Sequence, residues 1–365
     1  MSDEKAYESL IDHIRNWIFG LPESEMLMPL MKMRFTLEEA QFLSKFPHWP
    51  TTLDELSGKF GIGPDKLLQV MDSMIRKGFI YRVSGKTAVR YSFADSIFFF
   101  YRMPGWRGET DEWNTKISPL LNQYYSDHLA VDFRGYPTKG LRTIPIGAVI
   151  EDSRQVMPFE DVVQILDKQR TFAVTTCACR HRKNMDPDSV SCKHESKNCL
   201  HFGLLADYII QNDMGSKISK EQTLEILEAA AEAGLVHGIS NTTSDMDTIC
   251  NCCPCCCIFL EPLKIVPSAT RGHQPSNYVL KTNPDTCLTC GLCVERCPMG
   301  ALVIEEDELA FDSEKCLGCG VCAYKCPTNS LSLRRRDVEQ EYPTTMGDIG
   351  RRYLAERGRD MAKIK

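Results

Sequence analysis

Two runs of cysteine towards the C-terminal end have the residue type and spacing of iron ligands. They read Cys287-x2-Cys290-x2-Cys293-x3-Cys297-Pro298 and Cys316-x2-Cys319-x2-Cys322-x3-Cys326-Pro327. The second run repeats the first at an offset of 29 residues, which makes a chance match an inadequate explanation. Thiolates at this spacing bind [4Fe-4S] clusters. The sequence therefore predicts two such clusters in this part of the chain.

Residues 277–334 resemble the bacterial-type 2[4Fe-4S] ferredoxins, and the two cysteine runs carry the resemblance. The resemblance implies that the fourth cysteine of each run binds the other cluster. One implied ligand set is Cys287, Cys290, Cys293 and Cys326, and the other is Cys316, Cys319, Cys322 and Cys297. A purely structural role needs one cluster, whereas two adjacent clusters form a path for electrons. We therefore expect a redox role.

Glycine and proline recur at matching places in the two runs. Gly291 and Gly320 follow the second cysteine of each run, where the backbone has to turn closely around the cluster and its N–H groups can donate to sulfur. Pro298 and Pro327 end each ligand loop, because proline fixes φ. Apolar strand candidates flank the runs at 277–281, 301–304, 309–311 and 331–333. A (βαβ)2 ferredoxin fold is expected for this region.

Ten further cysteines form two groups in the middle of the chain. The groups are Cys177, Cys179, Cys192 and Cys199, and then Cys250, Cys252, Cys253, Cys255, Cys256 and Cys257. Neighbouring side chains diverge in a helix or a strand, so the second group cannot all face one site. Arg180 begins a basic segment, 180–183, that stabilises thiolates and offsets the negative charge of a cluster.

We expect these ten thiols to hold one or two additional iron–sulfur clusters. The first four are predicted to ligate one cluster together, with members of the second group completing it or building another. A structural zinc ion held by four thiolates is the alternative, since these spacings suit Zn²⁺ as well as iron.

Helices and a hairpin are predicted before the cysteines begin. Thr36 and Glu39 form a helix-start signal, and residues 64–77 have the pattern of a longer helix. The β-rich segments 79–83 and 89–93 predict a hairpin, so the region resembles a winged helix. Residues 1–110 carry 14 Lys and Arg against 14 Asp and Glu, which leaves no basic face. DNA binding is therefore not expected, and docking to a protein or homodimerisation through this region is.

The whole sequence predicts an α+β protein. The expected parts are a winged-helix-like domain at 1–103, a connector at 104–170, a central, mostly helical cysteine-rich domain at 171–276, the ferredoxin domain at 277–334 and a basic helical segment at 335–365.

Composition restricts the cellular setting. The apolar run at 97–101 is far shorter than the roughly 20 residues of a membrane helix, so no membrane insertion is expected. No secretion signal is apparent, and we expect a cytoplasmic protein with reduced thiols. The net charge of -6 has the wrong sign for a general nucleic-acid binder and suits docking to a basic patch on a redox partner.

The three regions in this order resemble a family of multi-cluster ferredoxins of anaerobic bacteria and archaea. The resemblance implies an electron carrier, or an electron-transfer subunit of an oxidoreductase, that passes low-potential electrons between a flavoenzyme or hydrogenase-type partner and an acceptor. No catalytic residue is predicted. Two alternatives stay open: a redox- or iron-sensing winged-helix regulator, and a reductase whose substrate binds an incompletely ligated central cluster.

Overall fold

The computed structural model describes residues 3–359 and 364, apart from 86, 130–131, 133–134, 190 and 261–272. Residues 261–272 of the predicted central domain, and residues 360–363 and 365 of the C-terminal segment, therefore lie outside the described residues.

The N-terminal region combines helices with a small antiparallel sheet. Its helices are α1 (Asp3–Arg15), α2 (Leu27–Arg34), α3 (Leu37–Leu43), α4 (Leu53–Phe60) and α5 (Pro64–Arg76). Its strands are β1 (Thr51–Thr52), β2 (Ile80–Ser84) and β3 (Val89–Phe93), in the order β1-β3-β2. Thr36 caps α3 through a reciprocal pair of hydrogen bonds with Glu39, as predicted. The pairing of β2 with β3 confirms the predicted hairpin.

Two helices and two π-helical turns then lead towards the cysteines. A π-helical turn, Phe98–Arg102, leads into α6 (Met103–Arg107), and α7 (Glu112–Tyr124) runs into a second π-helical turn, Tyr125–Leu129. The apolar run 97–101 is buried throughout. It belongs to the core of the protein because its aromatic side chains pack among the N-terminal helices.

A seven-stranded sheet forms the middle of the molecule. Its strands are β4 (Leu141–Thr143), β5 (Phe172–Thr175), β6 (Cys199–Phe202), β7 (Ser216–Ile218), β8 (Val236–Ser240), β9 (Thr248–Cys252) and β10 (His273–Gln274). The order is β10-β4-β8-β9-β6-β5-β7, with only β10 and β4 parallel. The helices α8 (Val162–Asp167), α9 (Ala178–Met185), α10 (Gly203–Gln211) and α11 (Lys220–Glu232) accompany it.

The prediction of a mostly helical central domain is therefore wrong. Its strands are only two to five residues long, and some pair with partners far away along the chain, as Leu141 does with Ser240. Local periodicity carries little trace of such short, non-local pairings. The predicted helix that starts at Ser219 is confirmed, with its capping bonds to Gln222.

The C-terminal cysteine runs lie between two antiparallel strand pairs. Strand β11 (Tyr278–Thr282) pairs with β14 (Leu331–Arg335), and β12 (Leu302–Glu305) pairs with β13 (Glu308–Phe311). Helix α12 (Leu292–Arg296) and a 3-10 turn, Ala323–Lys325, occupy equivalent places in the two runs, and α13 (Met346–Glu356) follows. All four predicted strand candidates are confirmed. The mixture of helix and strand agrees with the predicted α+β class.

The segment that precedes the central cysteines also packs on the C-terminal strands. The N–H of Ile146 donates to the carbonyl of Cys319 at 3.0 Å, and that of Glu151 donates to the carbonyl of Leu333 at 2.9 Å. Among the helices of the described residues, none has the length and apolar character of a membrane span.

Candidate metal centres

The first C-terminal cavity brings together one of the two implied ligand sets. Its lining includes Cys287, Cys290, Cys293 and Cys326. Cys290 is exposed and the other three are half-buried. The N–H of Thr289 points at the Cys287 Sγ atom, 3.5 Å away. This cavity is the outer site.

The second C-terminal cavity, the inner site, holds the other implied set. Its lining includes Cys297, Cys316, Cys319 and Cys322, of which Cys319 and Cys322 are buried. Burial raises the pKa of Cys319 to about 12 and that of Cys322 well above its usual range. Buried thiols of this kind give up their protons when a metal ion takes the place of the proton. The inner site therefore suits a thiolate-bound group that is shielded from water.

Backbone N–H groups and glycine turns contribute to both sites. In the inner site, the N–H groups of Gly318 and Ala301 donate to the Sγ atoms of Cys316 and Cys297 at 3.4 and 3.3 Å. Gly291 and Gly320 have φ values of +78° and +82°, in the left-handed region that favours glycine. A Cβ atom on Gly320 would lie 2.7 Å from the Val149 Cγ2 atom. Both the backbone conformation and the lack of space for a Cβ atom therefore favour glycine at position 320.

Proline closes each loop beside the sulfur ligands. Pro327 lines the outer site, and Pro298 lines the inner site.

An apolar and acidic surface surrounds the outer site. Leu288 and Leu292 line it and are 66% and 36% exposed, and Val303 and Ile304 on β12 are 43% and 40% exposed. The turn between β12 and β13 continues this surface with four acidic residues, 305–308. Exposed apolar side chains that cluster in this way mark interaction sites. The outer site therefore faces a surface suited to docking.

Seven of the ten central cysteines line a largely enclosed cavity of about 40 Å³. They are Cys177, Cys179, Cys199, Cys250, Cys252, Cys253 and Cys257. Helix α9 positions the first two at its N-terminal end, and strands β6 and β9 carry the next three. A hydrogen bond from Cys177 lowers the pKa of Cys179 well below its usual range, and one from Cys199 does the same for Cys250. The thiols of this enclosed site are therefore in mutual contact.

Arg180 reaches the enclosed site from α9 and is fully buried. Its guanidinium donates to the carbonyls of Glu195 and Asn251 at 2.9 and 2.6 Å, and to the Asn198 side chain at 2.7 Å. Its Nε atom has no hydrogen-bond partner among the described residues. No carboxylate of those residues forms an ion pair with it, and the groups near it that would supply negative charge are cysteines in their thiolate form. Such a buried cation fits an anionic cluster in the cavity.

Four central cysteines form a second group, and one of them, Cys253, also lines the enclosed site. They are Cys192, Cys253, Cys255 and Cys256, and all their Sγ atoms lie within 4.8 Å of one another. This differs from the predicted grouping of Cys192 with the cysteines at 177, 179 and 199. Helix α9 ends at Met185, and the loop that follows carries Cys192 to the turn after β9. The divergence predicted for the second cysteine group occurs, with Cys252 and Cys257 facing away from this tetrathiol site.

Several lining residues escaped the sequence analysis. Tyr101, Arg102 and Trp106 line the enclosed site from the N-terminal half of the chain, and the His273 Nε2 atom lies 3.8 Å from the Cys252 Sγ atom. No local motif marked them. His201 also lines the cavity, but both its ring nitrogens contact threonine hydroxyls, at 3.0 and 3.2 Å, which favours a positioning role over ligation.

Comparisons with known proteins agree with the C-terminal assignment. Residues 286–330 match the family described as 4Fe-4S dicluster domain. The ferredoxin Fdx8 of Sorangium cellulosum (strain So ce56) is 34% identical over 68 residues, which are 17% of this chain and 63% of that protein. The chain thus spans somewhat less than two thirds of the curated relative that it matches. Both findings support an iron–sulfur region of ferredoxin type. Neither of these two matches extends over the rest of the chain.

Proposed function

We propose that this protein transfers electrons through two C-terminal [4Fe-4S] clusters and one or two further clusters in the central region. The outer cluster is held by Cys287, Cys290, Cys293 and Cys326, and the inner cluster by Cys297, Cys316, Cys319 and Cys322. The observation that carries the proposal is the division of these eight cysteines into two cavities of four, which agrees with the crossed ligation of two-cluster ferredoxins. The match to a dicluster domain supports it.

When bound, such clusters accept and release single electrons. The chain's own residues set the conditions for this. Burial of Cys319 and Cys322 excludes water from the inner site, and backbone N–H groups donate to the sulfur atoms of both sites. Hydrogen bonds to sulfur and limited solvent exposure are the features by which a protein adjusts the potential of a cluster.

Electrons are exchanged with partners at the outer site. Its exposed Cys290, the leucines at 288 and 292 and the acidic turn at 305–308 suit a partner with an apolar contact ringed by basic residues. A flavoenzyme or hydrogenase-type protein is the proposed partner class. The N-terminal region docks a second protein or another copy of this chain in the proposed arrangement.

A continuous apolar cluster joins the inner site to the enclosed central site. Cys319 and Leu317 belong to it, as do Ile146, Cys252 and Cys257. The cysteines of the inner site and of the enclosed site therefore share one buried, apolar part of the core. We therefore propose that electrons pass between the outer site and the central region by way of the inner site.

An anaerobic redox titration followed by EPR tests this function. We expect reversible one-electron reduction at midpoint potentials in the negative part of the range that iron–sulfur clusters span, about −700 to +450 mV. Clusters that stay oxidised under strong reductants would point to a structural role and contradict the proposal.

A paired set of variants tests the docking surface. Leu288→Glu should slow electron exchange with a low-potential flavoprotein reductase and leave the potentials unchanged, because Leu288 is exposed beside the outer site. Val338→Glu is the control. Leu331, at the start of β14, lines the outer site, whereas Val338 lies beyond the other end of that strand and is 77% exposed. Equal effects of the two substitutions would contradict the placement of the docking surface.

Reduction of a small molecule is a second candidate function, favoured by a large pocket beside the enclosed site. This pocket, of about 360 Å³, shares Arg102, Leu141 and Phe259 with the enclosed site. Asp95 and Asp247 also line it, so it suits a partly apolar substrate with a cationic or hydrogen-donating group. Leu204→Trp, at an exposed position of the pocket wall, should then slow reoxidation by small organic oxidants and not by the flavoprotein. Unchanged reoxidation would remove this candidate.

A further inference from the structure

The tetrathiol site has the dimensions of a single metal ion. Its Cys192 Sγ atom lies 3.8 Å from that of Cys253 and 3.6 Å from that of Cys255, and the Sγ atoms of Cys255 and Cys256 are 3.7 Å apart. Four sulfurs placed tetrahedrally around Zn²⁺ at about 2.3 Å stand about 3.8 Å from one another. The observed separations are those of a ZnS4 tetrahedron.

A cubane cluster would need a wider arrangement. In a [4Fe-4S] cluster each cysteine sulfur binds a different iron at a corner of the cube and points away from its centre. The four sulfurs are therefore held apart by the cluster itself. All four Sγ atoms here lie within 4.8 Å of one another, which leaves room for one ion between them.

A disulfide explains these sulfurs less well. The S–S bond is about 2.0 Å long, whereas the separations above are all near twice that length. One or two disulfides would also pair the sulfurs, and here each sulfur has more than one sulfur neighbour. The arrangement is that of four ligands around a common centre.

The surroundings favour a closed structural site. Cys253 and Cys256 are buried against Ala230 and Leu235, at the end of α11 and the start of β8. Cys192 is half-buried, and Cys255 alone is exposed. Four protein thiolates fill the tetrahedral coordination of zinc and leave no position for a substrate.

The site also has a clear place in the fold. It would tie the loop after α9, through Cys192, to the turn after β9. Cys252 and Cys257 flank that turn and face the enclosed site. An ion that fixes the turn therefore also fixes two cysteines of the neighbouring site.

We infer that Cys192, Cys253, Cys255 and Cys256 bind one Zn²⁺ ion, separate from the iron–sulfur sites, which holds the turn after β9 in position. This zinc site does not depend on the proposed electron transfer, because the chain can hold zinc there whatever the other cysteines bind.

Metal analysis of the full chain, purified anaerobically from cells grown with both zinc and iron, tests the inference. We expect about one zinc per chain, and X-ray absorption at the zinc edge should show four sulfur neighbours at about 2.3 Å. Cys255→Ser should abolish stoichiometric zinc and leave iron and acid-labile sulfide unchanged. Cys250→Ser, in the enclosed site, is the matched control and should keep the zinc.

Four results would overturn the inference. They are a wild-type protein without zinc, zinc with nitrogen or oxygen ligands, loss of iron together with sulfide in Cys255→Ser, and loss of one iron without sulfide. The last two would assign the site to a cluster and to a single iron, respectively. The X-ray absorption spectrum of the wild-type protein at the zinc edge tests the four-sulfur zinc site even if Cys255→Ser fails to fold.

Discussion

The two cluster-loop glycines offer a matched test of how tightly the ferredoxin region packs on the rest of the chain. Gly291 and Gly320 have nearly equal φ values, +78° and +82°. A Cβ atom on Gly291 would meet only the Ile304 Cδ1 atom, at 3.7 Å, whereas one on Gly320 would lie 2.7 Å from Val149 and 3.1 Å from Leu333. Alanine in the left-handed region costs about 1–2 kcal/mol. Overpacking adds about 1–3 kcal/mol at Gly320 alone.

Gly320→Ala should therefore lower the free energy of unfolding by roughly 2–5 kcal/mol, and Gly291→Ala by about 1–2 kcal/mol. Anaerobic denaturant unfolding, followed by circular dichroism and by visible cluster absorption, measures both. Val149→Ala should relieve part of the loss in Gly320→Ala, with a coupling energy of about 0.5–3 kcal/mol in a double-mutant cycle. Equal losses for the two glycine variants, or no coupling to Val149, would refute the close contact between Val149 and the inner site.

Three further predictions concern charges. Glu160 is 3% exposed and pairs with Arg335 at 3.1 Å, so Glu160→Ala should lower the free energy of unfolding by about 3–5 kcal/mol in chemical denaturation. Glu339 pairs with the same arginine on its exposed side, and Glu339→Ala should lower it by less than about 1 kcal/mol. Similar losses for the two variants would contradict the burial of the Glu160–Arg335 ion pair. Neutralising the acidic turn at 305–308 should slow electron transfer to cobalt(III) hexaammine relative to ferricyanide, and an unchanged rate ratio would place electron exchange elsewhere. Burial lowers the pKa of His13 from 6.5 to about 4, so its stabilising contribution is full above about pH 6.5 and is lost as the pH falls towards 4. His13→Gln should reduce the fall in thermal midpoint between pH 7 and pH 5, and an equal fall in both proteins would contradict this.

Local signals in the sequence predicted local structure well. The capping residues Thr36 and Ser219, the helix that begins at Pro64 and the flanking strands of the cysteine runs all lie where their patterns indicated. Each of these depends on contacts between residues close together along the chain. The repeat in the cysteine runs also grouped eight ligands into two sets, because it carries the resemblance to a known arrangement.

Non-local pairing accounts for what the sequence did not reveal. Strand β4 lies in a segment interpreted as a connector, and it pairs with β8 about 100 residues later. The grouping of Cys192 with Cys253 joins sulfurs 61 residues apart, and spacing alone favoured its nearer neighbours. Tyr101 and Arg102 reach the enclosed site because the N-terminal core is continuous with the central sheet. Such contacts are set by packing of the whole fold and leave no local motif.

EPR of the anaerobic, fully reduced protein tests the central claim most directly. Two neighbouring reduced [4Fe-4S] clusters should give a spectrum split by their magnetic interaction, in protein that contains at least about eight irons per chain. Cys290→Ser, which removes the exposed ligand of the outer site, should weaken that cluster and reduce the interaction signal. An unsplit spectrum from the wild-type protein, or fewer than about eight irons per chain, would contradict the account.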